Sequence, residues 1–192
     1  MRNLNAIRKF EADKDEQLLY RIQEGDSDAF ACLYSRHYST IYRYCFRLLQ
    51  NKPEAEDATQ NTFLKLHGTA RDIRNVGSVR TWMFTVARNE VFGRFRHARN
   101  NGSLDDQELL QSEDPLEEIM RNEEHHLVQQ LLARLKPEYR EVLILLEYEQ
   151  LSYSEIAAIT GHTLSSVESR IYKARKALAK RLIPYYEERK KP

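Results

Sequence analysis

The sequence predicts an all-α protein of two helical domains joined by a flexible acidic linker. Apolar residues recur every three or four positions from about Asp28 to Leu49, the spacing of one helical face. From Asn100 to Glu124 the composition turns acidic, with nine Asp/Glu against Arg121, and the first half of that stretch reads as a tether. Residues 151–183 then hold a capping box, a glycine and a second periodic stripe, the pattern of two helices meeting at a tight turn. The domains are expected at 15–100 and 123–184, with the linker at 101–122.

Residues 15–24, DEQLLYRIQE, read as a short helix with Leu18, Leu19 and Ile22 inward, closed by Gly25. A new start at Asp26 or Ser27 opens a long helix. It carries Phe30, Leu33, Tyr34, Tyr38, Ile41, Tyr42, Cys45, Phe46 and Leu49 on one side. Its tyrosines can bury a ring while keeping the hydroxyl wet. Asn51-Lys52-Pro53 breaks this helix, and Pro53 suits the first position of the next. In residues 53–67, PEAEDATQNTFLKLH, the residues Ala55, Thr59, Thr62, Phe63 and Leu66 take the packing side. Asp57, Gln60, Asn61 and Leu64 take the other. A leucine among polar groups on an exposed face marks a protein-docking surface.

Residues 68–77, GTARDIRNVG, form a loop between glycines, after which Ser78 caps a helix to about Arg99. Val79, Trp82, Met83, Val86 and Phe95 are its inward candidates. Seven arginines face two acids between 71 and 99, a net charge of +5. Such a stretch can hold a nucleic-acid backbone and stack unpaired bases. Trp82 is assigned to the core and the arginines to function. Helix is expected again from near Pro115 to about Leu135. Pro137 starts another, with Val142, Leu143, Leu145 and Leu146 packed under the terminal helix pair.

In that pair, Ser152 and Glu155 form the capping box and Gly161 closes the first helix. Thr163 caps the second, whose stripe is Val167, Ile171, Ala174 and Leu178. Small polar residues lead and cations follow: from 161 to 183 there are six Lys/Arg against Glu168, again +5. Short hydrogen-bonding side chains suit base edges in the major groove, and the cations suit phosphates. This is the pattern of a helix-turn-helix reader.

Other classes find little support. The net charge is +1, so only the local segregation of charge speaks for nucleic acid. Cys32 and Cys45 lie on one helical pattern, ~20 Å apart along the axis, which favours buried reduced thiols over a bridge. The N-terminal sequence lacks a signal-peptide core and no apolar run suits a membrane, so a cytoplasmic location is expected. Glu123 and His126 have the Glu-x-x-His spacing of carboxylate-bridged metal helices, but the chain offers no second such motif. No metal, cofactor or catalytic residue is therefore expected.

Three stretches resemble the extracytoplasmic-function (ECF, group IV) sigma factors of bacterial RNA polymerase. They are EAEDATQNTFLKLH, VRTWMFTVARN and LKPEYREVLILLEYEQLSYSEIAAITGHTLSSVESRIYKAR, which occur in the family's order. The resemblance implies sigma domain two at 15–100 and sigma domain four at 123–184. It implies that Asp57, Gln60, Asn61 and Leu64 dock on the clamp helices of the largest subunit of core RNA polymerase. Asn75, Ser78, Arg80, Arg88 and Asn89 would lie near the captured −10 strand of promoter DNA, with Arg94 and Arg96 on phosphates. Ser166, Glu168, Ser169 and Tyr172 would read the −35 element, reinforced by Arg170 and Lys173.

Two departures stand out. The family usually has Gln-Glu before Thr-Phe-Leu, whereas this chain has Gln60-Asn61, one carboxylate fewer on the docking face. Thr59 and Thr62 flank the gap, which suggests regulation by threonine phosphorylation, with Thr62 first. Glu168 stands where the family usually has Lys or Arg, and predicts an unusual −35 sequence with a smaller salt dependence. An anti-sigma factor or a Ser/Thr kinase is the expected control partner. The competing reading, a stand-alone helix-turn-helix regulator, predicts dimers and palindromic sites.

Overall fold

The computed structural model describes residues 10, 12–73, 78–100 and 123–188. Among them every regular element is helical and there is no strand. They divide into two compact units: one holds the residues up to Cys45 together with those from Pro53 to Asn100, the other Phe46–Lys52 together with 123–188.

Helix α1 spans Asp15–Gln23, α2 Ser27–Leu49, α3 Lys52–Thr69 and α4 Val79–Asn100, with a short 3-10 turn at Ala70–Asp72; all belong to the first unit except the last turn of α2 and Lys52. Between α1 and α2, Gly25 adopts φ +90°, a conformation with no steric penalty only for glycine. Leu18, Leu19 and Ile22 are buried as the spacing predicts. Asp15, at the start of α1, takes Arg36 on one carboxylate oxygen and His37 on the other, each at 2.6 Å. Burial works to raise the pKa of this carboxyl. The hydrogen bonds and charges of His37 and Arg36 outweigh it and leave the pKa below the usual carboxylate value.

The long α2 buries Leu33, Ile41, Tyr42, Cys45, Phe46 and Leu49 as expected. Cys32 and Cys45 are both free and buried, and burial pushes the Cys45 thiol up to about 12, so it is inert at neutral pH. The apolar face is rotated slightly from the expected one. Tyr44 and Leu48 are fully buried, while Tyr34 is 36% exposed. Tyr34 instead borders a surface ridge, its ring 4.7 Å from Phe63 of α3 and 5.1 Å from Tyr38. On α4, Val79 and Met83 are buried as predicted. Trp82, Val86 and Phe95 are only half-buried, and Phe84, Ala87 and Val91 take the core places instead.

In the second unit α5 spans Glu123–Ala133 and α6 Pro137–Leu143, which runs into a π-helical turn at Ile144–Tyr148. The start expected near Pro115 lies outside the described residues. Helix α7 spans Tyr153–Thr160 and α8 Leu164–Glu188. Helix α8 packs on α5, α6 and α7. Val142, Leu143 and Leu145 are buried beneath the pair, whereas Leu146 is half-exposed.

Two details here were not predicted. Arg140 is only 9% exposed and donates to the carbonyls of Leu132, Ala133 and Leu135. Leu132 and Ala133 belong to the C-terminal end of α5, whose last carbonyls have no partner within the helix, and Leu135 to the turn that follows. Burial lowers the Arg140 pKa to about 10, still high enough to keep the guanidinium charged at neutral pH. Gln50 and Gln150 meanwhile close helical segments at φ +52° and +55°, where glycine is usual. Each side-chain amide donates to a carbonyl three residues back, Arg47 for Gln50 and Glu147 for Gln150.

Candidate nucleic-acid and protein interfaces

Helix α3 has two unlike sides, as its spacing predicts. Ala55, Ala58, Thr59, Thr62, Phe63 and Leu66 are buried. On the opposite side Asp57 and Gln60 are exposed, and Leu64 is 68% exposed. Holding a leucine in water forgoes about 1–2 kcal/mol of burial, which a partner surface can recover. Asn61 departs from this group. It lies on the flank of α3, half-buried, and its amide donates to the Glu90 carboxylate of α4 at 3.1 Å.

Thr59 and Thr62 do not have the accessibility that phosphorylation requires. Both are 0% exposed. Thr59 donates its hydroxyl to the Ala55 carbonyl at 2.7 Å and Thr62 donates to Ala58 at 2.8 Å. Threonine satisfies its hydroxyl against the preceding helical turn in this way when its neighbours are apolar. A kinase would have to unfold α3 to reach either oxygen. Their burial agrees with the packing side that the helical spacing assigns them, and it argues against the phosphorylation expected from their nearness to Asn61.

On α4 the expected −10 residues are spread around the helix. Ser78 caps it, accepting a hydrogen bond from the Thr81 amide at 3.4 Å. Asn89 and Arg96 are exposed. Arg80, Arg88 and Arg94 are half-buried: Arg80 lies over the Phe84 ring at 5.5 Å and Arg88 over the Phe92 ring at 4.5 Å. Phe92 meets Phe95 edge to face at 5.6 Å. Asn75 lies outside the described residues. Thus, of the expected residues on α4, Asn89 and Arg96 are exposed, and Arg80 and Arg88 are already seated on rings.

The terminal pair follows its sequence signals closely. Ser152 accepts from the Glu155 amide, and the Glu155 carboxylate accepts from the Ser152 amide at 2.8 Å, completing the capping box. Gly161 turns the chain at φ +69°, and Thr163 caps α8 by accepting from the Ser166 amide at 3.3 Å. Val167, Ile171 and Ala174 are buried and Leu178 half-buried. Opposite this stripe Glu168, Ser169, Tyr172 and Lys173 are exposed, with Tyr172 at 68%. Ser166 and Arg170 lie half-buried on one flank. Arg175 pairs with Glu147 at 2.7 Å, which pins α8 to the π turn and leaves Lys173, Lys176 and Lys180 as the exposed cations of this stretch. The face has the size and chemistry of a major-groove reader with a phosphate-contacting tail.

No metal-ligating group of three His, Cys, Asp or Glu occurs among the described residues, and the side chains of Glu123 and His126 lie outside them. Within the same residues no helix is long and apolar enough to cross a membrane.

Comparisons with known proteins identify the family. Residues 33–101 match the family described as Sigma-70 region 2, and residues 125–178 match Sigma-70, region 4. The chain is 33% identical over 169 residues to RNA polymerase sigma factor YlaC of Bacillus subtilis (strain 168), covering 84% of this chain and 96% of that one. It is 32% identical over 150 residues to ECF RNA polymerase sigma factor SigL of Mycobacterium tuberculosis (strain ATCC 35801 / TMC 107 / Erdman), covering 76% and 84%. The solved structure of CnrH in complex with the cytosolic domain of CnrY shares the fold, with a TM-score of 0.68, 24% identity and coverage of 88% and 97%. The two domain matches, in this order, and the identity to these relatives over most of the chain place it in the family of ECF RNA polymerase sigma factors.

Proposed function

We propose that this chain is a group IV ECF sigma factor that acts in the cytoplasm, binds core RNA polymerase and directs it to specific promoters. In this reading Asp57, Gln60 and Leu64 on α3 dock on the clamp helices of the largest subunit. Helix α4 meets the −10 element through Ser78, Asn89 and Arg96, with Arg80, Arg88 and Arg94 beside them. Helix α8 meets the −35 element through Glu168, Ser169, Tyr172 and Lys173, with Ser166 and Arg170 on its flank. Residues 15–100 and 123–184 are the two functional domains, and 101–122 is the tether. The factor itself catalyses nothing. On the same family resemblance, its control partner is an anti-sigma factor.

The observation that carries this reading is the exposed face of α3. A stand-alone regulator has no use for an unpartnered Leu64 among Asp57 and Gln60 on a helix whose other side is fully buried. The test is binding of the purified chain to core RNA polymerase. Unmodified protein should bind, and Leu64→Asp should weaken binding by about tenfold or more, as removal of a central interface anchor does. A dimer that binds palindromic DNA and ignores polymerase would instead establish the stand-alone regulator.

A further inference from the structure

Asn61 lies at the flank of the α3 face that Asp57, Gln60 and Leu64 form. In space a carboxylate sits beside that position. Glu90 reaches from α4 to the flank of α3, where its Oε2 accepts from the Asn61 amide at 3.1 Å and its Oε1 meets the Lys65 ammonium at 2.5 Å. Burial works to raise the Glu90 pKa. The hydrogen bonds from Lys65 and Asn61, and the charges of Lys65 and Arg94, outweigh it and hold the group below the usual glutamate value.

From this geometry we infer that Glu90 is a polymerase-docking residue, and that Asn61 is a positioning residue holding its carboxylate at the edge of the α3 face. The inference rests on the reading of α3 as the docking helix. A carboxylate accepts about four hydrogen bonds, and Asn61 and Lys65 occupy two sites, which leaves capacity for a cationic side chain of the partner. The Glu90 side chain is 18% exposed, enough to be reached from outside yet screened enough that a new partner would meet it in a lowered dielectric. Lys65 is 53% exposed and joins the carboxylate from the solvent side, so a docking cation can take its place or share the group. The complement is therefore an Arg or Lys of the polymerase surface, and an arginine could also reach the Asn61 carbonyl oxygen.

This assignment sets the expected effect of placing a glutamate at position 61. A glutamate at 61 would bring a second carboxylate into hydrogen-bond range of Glu90 and remove the amide that orients it. Like charges at such separation repel and displace one another.

The experiment measures core polymerase affinity at several salt concentrations for the wild-type chain and for Glu90→Gln, Asn61→Glu and Leu64→Ala. Glu90→Gln keeps the shape and an acceptor for Asn61, and should raise Kd by about tenfold with a flatter salt dependence. Asn61→Glu should also raise Kd. A purely structural role for Glu90 would lower the melting temperature without flattening the salt dependence, so both are read. Wild-type affinity and salt dependence in Glu90→Gln, with binding lost in Leu64→Ala, would overturn the Glu90 assignment while leaving the docking helix intact. Unchanged binding in Leu64→Ala as well would overturn the docking reading beneath it. Should Glu90→Gln fail to fold, tighter binding by Asn61→Glu would count against the assignment and weaker binding would support it.

Discussion

Two basic stretches, 71–99 and 161–183, carry the same net charge of +5, yet their cations are in different physical states. On α8 Lys173, Lys176 and Lys180 stand in water, and Arg175 pairs with Glu147. On α4 Arg80 and Arg88 lie on phenylalanine rings, and Arg94 contributes to holding Glu90 ionised. The exposed lysines are free to exchange small counterions for phosphates, which supplies affinity without demanding a particular shape. The seated arginines have already given up side-chain freedom and hold fixed positions. Equal charge in sequence therefore does not mean equal availability in the fold.

The largest expected effect concerns the support beneath α8. Arg140→Ala should destabilise the second unit by about 3 kcal/mol, because it removes a buried guanidinium and its hydrogen bonds to the carbonyls of Ala133 and Leu135, at and just after the end of α5. Denaturant unfolding should show this loss, and −35 DNA binding should weaken although no charge has left the exposed face. Unchanged stability would mean that water satisfies those carbonyls equally well.

A paired substitution sharpens the contrast between the basic helices. Arg88→Ala should cost about 1 kcal/mol of stability in the first unit, since it removes a cation from the Phe92 ring together with its packing. Lys176→Ala should change stability by less than about 0.5 kcal/mol and reduce the salt slope of DNA binding by about one. Equal stability losses in the two variants would abolish the distinction.

The smallest expected effect is acid sensitivity. Asp15 and Glu90, both in the first unit, have folded-state pKa values below their ordinary ones. The stability they contribute is present above the unfolded values, about 3.9 and 4.3, and is lost as pH falls through the lower folded values. Acid titration followed by signals from each unit should show the first unit losing stability below about pH 4. Asp15→Asn together with Glu90→Gln should flatten that dependence.

Much of the site was legible because its signals are local. The capping box at Ser152 and Glu155, the turn at Gly161 and the stripe of Val167, Ile171 and Ala174 lie within four residues of their partners, and each took its expected form. The two sides of α3 followed from a 3.6-residue period in the same way. Legibility declined where a helix is packed on more than one side. Trp82 was expected in the core and is half-exposed, because Phe84, Ala87 and Val91 shift the buried face of α4 around the helix. Asn61 was expected with Asp57 and Leu64, but α4 stands beside it and takes its amide.

The sequence by itself determined that the chain is helical, where most described helices begin and end, and which face of α8 is free, since these depend on periodicity and on caps read within one turn. The tertiary structure decided which polar groups remain available. Glu90 is 29 residues from Asn61, and only the placement of α4 against α3 brings them to 3.1 Å. In the second unit, packing likewise set Arg140 on the end of α5. A helix pattern specifies what a side can contact; the identity of the neighbour depends on interhelical register, which no local spacing encodes.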